Sequence, residues 1–182
     1  MVELTALWLP ILASTAALFF LGFIFWMVLP VHQADWKRLP DEAAFGEAVR
    51  GINIPAGNYM IPYGDMKEMQ TPEFAERQKQ GPQGILQIWT ECPMGKMLGQ
   101  QVLFLLVTMF SVAYLATQAL TPGAEFMAVF QFVGAATLLV LTMGHIPGRI
   151  WYKRRALGHV VDGVVQGVAA GLIFAALWPA VS

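Results

Sequence analysis

Three histidines are the residues of this chain best suited to bind a metal ion or a haem iron. His32, His145 and His159 each lie beside a long uncharged stretch of sequence. Imidazole nitrogens bind transition metals and haem iron. No two of these histidines have the i, i+4 spacing that places two ligands on one helix face. They are therefore a candidate metal or haem site, and structural or solvent-facing histidines are the alternative.

Sulfur ligands are few. Cys92 is the single cysteine, which excludes an internal disulfide and a four-cysteine metal site. Met94 and Met97 follow it just before an apolar stretch, so thiol and thioether groups precede the same helix.

An acid interrupts the last apolar stretch. Asp162 stands there with Gln166 one helical turn further on. An ionisable group within a membrane is costly, and it marks a binding site or a transport path by default. The two residues are a candidate polar site, as in a small transporter or channel. The alternative is that Asp162 reaches water or pairs with Lys153 or Arg154.

Glycines recur every four residues after Asp162. Gly163, Gly167 and Gly171 fall on one face of a predicted helix, and small residues at this spacing let another helix approach closely. This glycine zipper predicts helix packing within the chain, with an interface to a partner or a second copy as the alternative.

The elements that must position these residues are membrane-spanning helices. The chain has 182 residues, of which 57% are hydrophobic and 13% charged, a composition typical of membrane proteins. A helix needs about 20 apolar residues to cross the hydrocarbon core. We predict an all-α membrane protein, one membrane domain over residues 1–182 with four transmembrane helices at about 4–29, 98–120, 126–146 and 157–178.

The basic residues indicate how these helices are oriented. All eleven Lys and Arg residues lie within Lys37–Lys96 and Arg149–Arg155, and cytoplasmic loops are enriched in Lys and Arg. Both termini are therefore expected outside, in a multi-pass protein of the bacterial inner membrane. This topology places all three histidines, Cys92 and Asp162 at the cytoplasmic end.

The long loop, residues 30–97, is expected to form a small cytoplasmic α+β cap. Asp41 and Glu42 predict a short helix through Arg50, and Thr71 followed by Pro72 predicts the start of a second. Two strands are predicted, at Asn58–Tyr63 and Gly84–Trp89.

Several features resemble those of small bacterial membrane proteins with four spans that are grouped as domains of unknown function. The residues that carry this resemblance are Leu21–Trp26 leading into Asp35–Lys37, then Asn58–Tyr63, Gly81-Pro82, and Ile150–Tyr152 before the glycines. The resemblance implies a four-span fold and no activity.

No phosphate-binding loop, dinucleotide fingerprint or hydrolase motif is present in the sequence. We therefore expect a non-catalytic structural or accessory subunit without a cofactor, packing in the lipid bilayer against other membrane subunits or copies of itself. A haem- or metal-binding redox protein and a small transporter or channel are the alternatives. Nucleic acid is not expected as a partner, because the loops mix acids with bases.

Overall fold

The computed structural model describes residues 2–180 and is mostly helical. Its helices are α1 (Trp8–Phe23), α2 (Glu42–Gly51), α3 (Pro72–Gln80), α4 (Met94–Ala119), α5 (Phe126–Met143), α6 (Ile146–Tyr152) and α7 (Leu157–Ala176). The strands are β1 (Gly57–Ile61) and β2 (Gly84–Ile88). The chain forms two compact units, of which one is Lys37–Pro93 and the other combines the chain up to Trp36 with the chain from Met94 onward.

Four helical segments are long and apolar enough to cross a membrane, as the sequence predicted. They are Leu4–Val28, Met94–Ala119, Phe126–Tyr152 and Leu157–Ala176. The first begins as a 3-10 helix at Leu4–Leu7, continues as α1 and ends as a π-helix at Ile24–Val28.

The third segment differs in detail from the prediction. The predicted span ends at residue 146, just before Pro147, but α5 already ends at Met143, and α6 begins at Ile146 and continues to Tyr152. Pro147 lies in the first turn of α6, where a helix needs no N–H from that residue. The proline therefore starts a helix here instead of ending one.

The four long helices form a bundle in which α1 and α5 each pack against α4 and α7. Its core lies toward one end, where the beginning of the first helical segment meets the later turns of α4 and α7. The buried side chains of this core include Leu7, Ile11, Met109, Val112, Val133 and Phe174. The first part of α4 is different, because every residue from Met94 to Phe104 is exposed and burial begins only at Leu105. The bundle is thus closely packed at one end and open at the other.

Three of the four glycines of α7, at positions 163, 167 and 171, lie where that helix meets α5. A Cβ on Gly167 would lie 2.8 Å from the carbonyl oxygen of Gly134, and one on Gly171 would lie 2.7 Å from that of Phe130. A Cβ on Gly163 would overlap the hydroxyl of Thr142. The glycine face is therefore covered by a helix of the same chain.

The closed end of the bundle is held by contacts with the α4–α5 turn. Gly123, with φ of 71°, donates its N–H to the carbonyl oxygen of Pro179 at 2.8 Å. The indole Nε1 of Trp178 donates to the carbonyl oxygen of Thr121 at 3.0 Å. These bonds join the segment that follows α7 to the turn between α4 and α5.

The unit Lys37–Pro93 contains α2, α3 and one antiparallel strand pair. The strands pair from Gly57 with Ile88 to Ile61 with Gly84. The Thr71 hydroxyl caps α3 by accepting from the N–H of Phe74 at 3.2 Å, as the sequence predicted. This unit begins and ends inside the predicted range of 30–97.

Candidate functional site

His32 is held at the open end of the bundle by the turn that follows the π-helix. The rings of Trp26 and His32 stack with centroids 3.9 Å apart and an angle of 9° between their planes. Only 3% of His32 is exposed. A π-helix shifts the register of a side chain within a helix, and such turns are frequent at functional sites. Here the π-helix contains Trp26, which covers one face of the imidazole.

Both ring nitrogens of His32 meet carboxylates. Nδ1 lies 2.7 Å from Oδ2 of Asp35, and Nε2 lies 2.9 Å from Oδ2 of Asp162. The sequence offered water, Lys153 or Arg154 as partners for Asp162, and the partner observed among the described residues is His32. Asp35 also pairs with a cation, because Nε of Arg155 lies 3.7 Å from its Oδ1.

Gly158 allows His32 to lie directly against the start of α7. A Cβ at this position would lie 2.7 Å from Cε1 and 2.8 Å from Nδ1 of His32, closer than non-bonded carbon atoms approach in packed interiors. The absence of a side chain at Gly158 therefore brings the imidazole within reach of Asp162, which lies one turn further along the helix.

The other two histidines stack on each other beside His32. His145, between α5 and α6, and His159, in the first turn of α7, have ring centroids 3.7 Å apart and nearly parallel planes at 6°. The ring of His159 is tilted by 53° relative to that of His32, with centroids 5.1 Å apart. The topology thus brings together three histidines from three separate segments of the chain, as the sequence placed them.

His32, Asp35 and His159 form a candidate metal centre. Each offers one ligand atom, and these atoms all lie within 4.8 Å of one another. His32 is buried, whereas Asp35 and His159 are half-buried. His145 is not part of this donor set among the described residues, because it contacts the set only through the face of its ring.

A cavity of about 840 Å³ adjoins these residues at the open end of the bundle. All four long helices line it, and His145, His159, Asp162 and Gln166 contribute to one wall. Its remaining lining is mainly apolar and includes Met97, one of the sulfur residues noted in the sequence. The candidate polar pair and the candidate metal centre thus share one end of the bundle.

Two of the sulfur residues noted in the sequence are exposed. Cys92 belongs to the unit Lys37–Pro93, and Met94 is at the start of α4. The glycines after Asp162 contact α5 instead of the site.

Three residues of the site were not identified from the sequence, namely Asp35, Trp26 and Gly158. The spacing of His32 and Asp35, three residues apart next to an apolar stretch, is a signal that places both on one side of a short helical turn. Trp26 was named only as the end of the segment Leu21–Trp26 that carries the resemblance. Nothing in the sequence distinguishes Gly158 from the other glycines near α7.

No protein-family model matches the chain, and neither a curated protein nor a solved structure shows significant similarity to it.

Proposed function

We propose that the chain is a multi-pass membrane protein that binds a divalent transition-metal ion through His32, Asp35 and His159. The observation that carries this proposal is the clustering of their ligand atoms within 4.8 Å. Ligand atoms at about 2.0–2.2 Å from one ion lie up to roughly 4 Å apart. Small side-chain adjustments are therefore sufficient to close this set around an ion.

The hydrogen bond of His32 to Asp162 supports the same proposal. A metal-binding histidine usually donates its second ring N–H to a carboxylate, which fixes the orientation and the tautomer of the ring. With Nδ1 directed at the ion beside Asp35, Nε2 donates to Oδ2 of Asp162 at 2.9 Å. An imidazole donates from both nitrogens only when it carries two protons, so an ion at Nδ1 replaces one of these protons.

The donor set indicates the class of ion. Two imidazole nitrogens and one carboxylate oxygen suit zinc, iron and similar divalent ions, whereas calcium and magnesium prefer oxygen ligands. Three protein ligands leave a coordination position for water or an exchangeable ligand. A haem between His145 and His159 is disfavoured, because these rings stack 3.7 Å apart and leave no space for a macrocycle.

We rank the accessory-subunit hypothesis below metal binding. One of the features that motivated it was the glycine face of α7, and Gly167 and Gly171 in that face lie against the backbone of α5 in the same chain. Packing against other membrane subunits therefore needs another surface of the bundle.

We further propose that the site lies at the cytoplasmic end of a bacterial inner-membrane protein. In the unit that contains the bundle, every Lys and Arg is near this end: Lys96 at the start of α4, and Arg149, Lys153, Arg154 and Arg155 between α5 and α7. Positive charge beside membrane spans favours the cytoplasmic side.

Zinc titration of the purified full-length protein tests the metal proposal. We expect one Zn²⁺ per chain, and we expect His32→Ala and His159→Ala to abolish stoichiometric binding because each removes a ligand. Asp162→Asn keeps the ligands but removes the carboxylate behind His32, so it should weaken affinity by about 10–100-fold.

His145→Phe is the matched control, because it keeps an aromatic ring stacked on His159 and removes no proposed ligand. It should bind Zn²⁺ like the unmodified protein. Thermal unfolding of each variant shows whether it is folded. Folded His32→Ala and His159→Ala proteins that still bind one Zn²⁺ would overturn the proposal, as would the absence of metal binding by the unmodified chain.

A further inference from the structure

The open end of the bundle contains a cavity that adjoins the proposed metal site and shares His159 with it. It is bordered by α1, α4, α5 and α7 and has a volume of about 840 Å³. Pockets that bind small molecules are typically about 300–1,000 Å³, mostly apolar, with a few polar groups that orient the ligand. This cavity has that composition, because its polar residues lie mainly on α7 and its other walls are largely aromatic and aliphatic.

Two buried polar side chains of α7 line the cavity, and one of them has an oxygen atom that lacks a hydrogen-bond partner within the described residues. Asp162 is 8% exposed, and its Oδ1 has no hydrogen-bond partner within residues 2–180, whereas its Oδ2 accepts from His32. Gln166, one turn further along α7, is also 8% exposed and lines the same cavity. A buried acceptor that lacks a donor destabilises the protein by about 1–3 kcal/mol. A ligand that supplies the donor removes this cost.

The apolar walls indicate the other part of such a ligand. Phe19, Phe23 and Phe104 line the cavity on α1 and α4. Phe23 and Phe104 are also half exposed on the outside of the bundle, in helices long and apolar enough to lie in lipid. The cavity is therefore accessible to a molecule that is dissolved in the bilayer and has both an apolar chain and a polar head.

The charges near the cavity favour a neutral head. Asp35 and Asp162 are acids, but Arg155 lies 3.7 Å from Asp35 and His32 lies between both carboxylates. Asp162 therefore already has a partner for its charge, and its Oδ1 lacks only a hydrogen-bond donor within residues 2–180. A hydroxyl group supplies that donor without adding a charge.

We infer that the cavity binds a neutral amphiphile of the alkylated hydroquinone class. One ring hydroxyl donates to Oδ1 of Asp162, the amide of Gln166 bonds to the ligand's polar edge, and the alkyl chain lies among the phenylalanines. An aromatic head fits because rings pack favourably against the ring faces and edges of Phe side chains. This inference goes beyond metal binding and does not depend on it.

Binding of three probes to the full-length protein in nanodiscs tests the inference. Dodecylhydroquinone has the proposed head, dodecylbenzene lacks the hydroxyls, and dodecyltrimethylammonium carries a cationic head. Trp26 lines the cavity, so quenching of tryptophan fluorescence reports binding, and native mass spectrometry gives the stoichiometry. We expect dodecylhydroquinone to bind about tenfold or more tightly than either of the other two, because a hydrogen bond to a charged acceptor is gained.

Two variants locate the binding. Leu141→Trp fills the cavity with a larger side chain and should reduce dodecylhydroquinone affinity at least about tenfold, since the pocket volume is lost. Leu103→Trp is the matched control, because Leu103 is exposed on α4 and does not line the cavity. Gln166→Leu removes a polar partner outside the metal donor set and should reduce the preference for dodecylhydroquinone over dodecylbenzene.

The outcomes separate this inference from metal binding. The Leu141→Trp protein should retain its Zn²⁺ affinity, and that result also shows that it is folded. Equal affinity for dodecylhydroquinone and dodecylbenzene, tighter binding of the ammonium probe, no binding, or unchanged binding by the folded Leu141→Trp variant would each overturn the inference. None of these results would change the expected Zn²⁺ titration.

Discussion

The Nε2 atom of His32 lies 2.9 Å from Oδ2 of Asp162, although 130 positions separate the two residues in the chain. The bond joins the turn after the first membrane span to the interior of the last one. His32 is 3% exposed and Asp162 is 8% exposed. A carboxylate this deeply buried needs a partner, and within the described chain the imidazole is that partner.

Replacing His32 by Leu should lower the free energy of unfolding by about 3–5 kcal/mol, because Asp162 is then buried without its hydrogen-bond partner. The double variant His32→Leu, Asp162→Leu should lose less than the sum of the two single variants, since neither partner remains. Reversible unfolding in mixed detergent micelles measures both values.

His145→Leu is the control for this cycle, because His145 stacks on His159 but bonds to neither carboxylate. Its effect should be smaller and should add to that of Asp162→Leu. Additivity of His32→Leu with Asp162→Leu would show that the 2.9 Å contact contributes no coupling energy.

Gly158→Ala should displace His32, since the added Cβ would lie 2.7 Å from its ring. We expect a loss of stability of about 1–3 kcal/mol from overpacking and a weaker Zn²⁺ affinity. Gly99→Ala, on α4, is the control, because a Cβ there meets nothing within 4 Å. It should be neutral or stabilise the helix by up to about 1 kcal/mol. Equal effects of the two variants in thermal unfolding would contradict the proposed role of Gly158.

The sequence was sufficient to predict the helices, because hydrophobic stretches and cap residues are local signals. Thr71 caps α3 where expected, and the turn between α4 and α5 lies in the gap between the second and third predicted spans. The end of the third span was predicted less well. A proline is compatible with both the end of a helix and the first turn of a new one, and only the backbone of residues 143–146 distinguishes the two.

The candidate site was predictable only in part. The distribution of Lys and Arg predicted that the three histidines and Asp162 lie at the same end of the bundle, because a membrane topology fixes the depth of each residue along its helix. Which of these side chains contact each other depends on the directions in which they point, and no local sequence pattern determines those directions. The sequence therefore offered water, Lys153 or Arg154 as partners for Asp162, while the fold places His32 there through the π-helix and Gly158.

Gly167→Ala should destabilise the bundle without changing its oligomeric state. The added Cβ would lie 2.8 Å from the carbonyl oxygen of Gly134 and 3.3 Å from Cβ of Leu138, so α5 and α7 must separate, at a cost of about 1–3 kcal/mol. Unfolding in detergent measures the cost, and light scattering measures the oligomeric state. Dissociation of an oligomer at unchanged chain stability would instead indicate that this glycine face contacts a partner.

Labelling of Cys92 should establish which side of the membrane the open end occupies. Cys92 is exposed, and the Lys and Arg distribution predicts that it faces the cytoplasm. A membrane-impermeant maleimide should therefore leave it unmodified in intact bacterial cells and modify it after the inner membrane is opened. The control is Glu125→Cys in a Cys92→Ser background, because Glu125 is exposed just before α5, at the opposite end of the bundle. That thiol should react in spheroplasts whose inner membrane is intact, and the reverse pattern of the two sites would place the metal centre on the outer side.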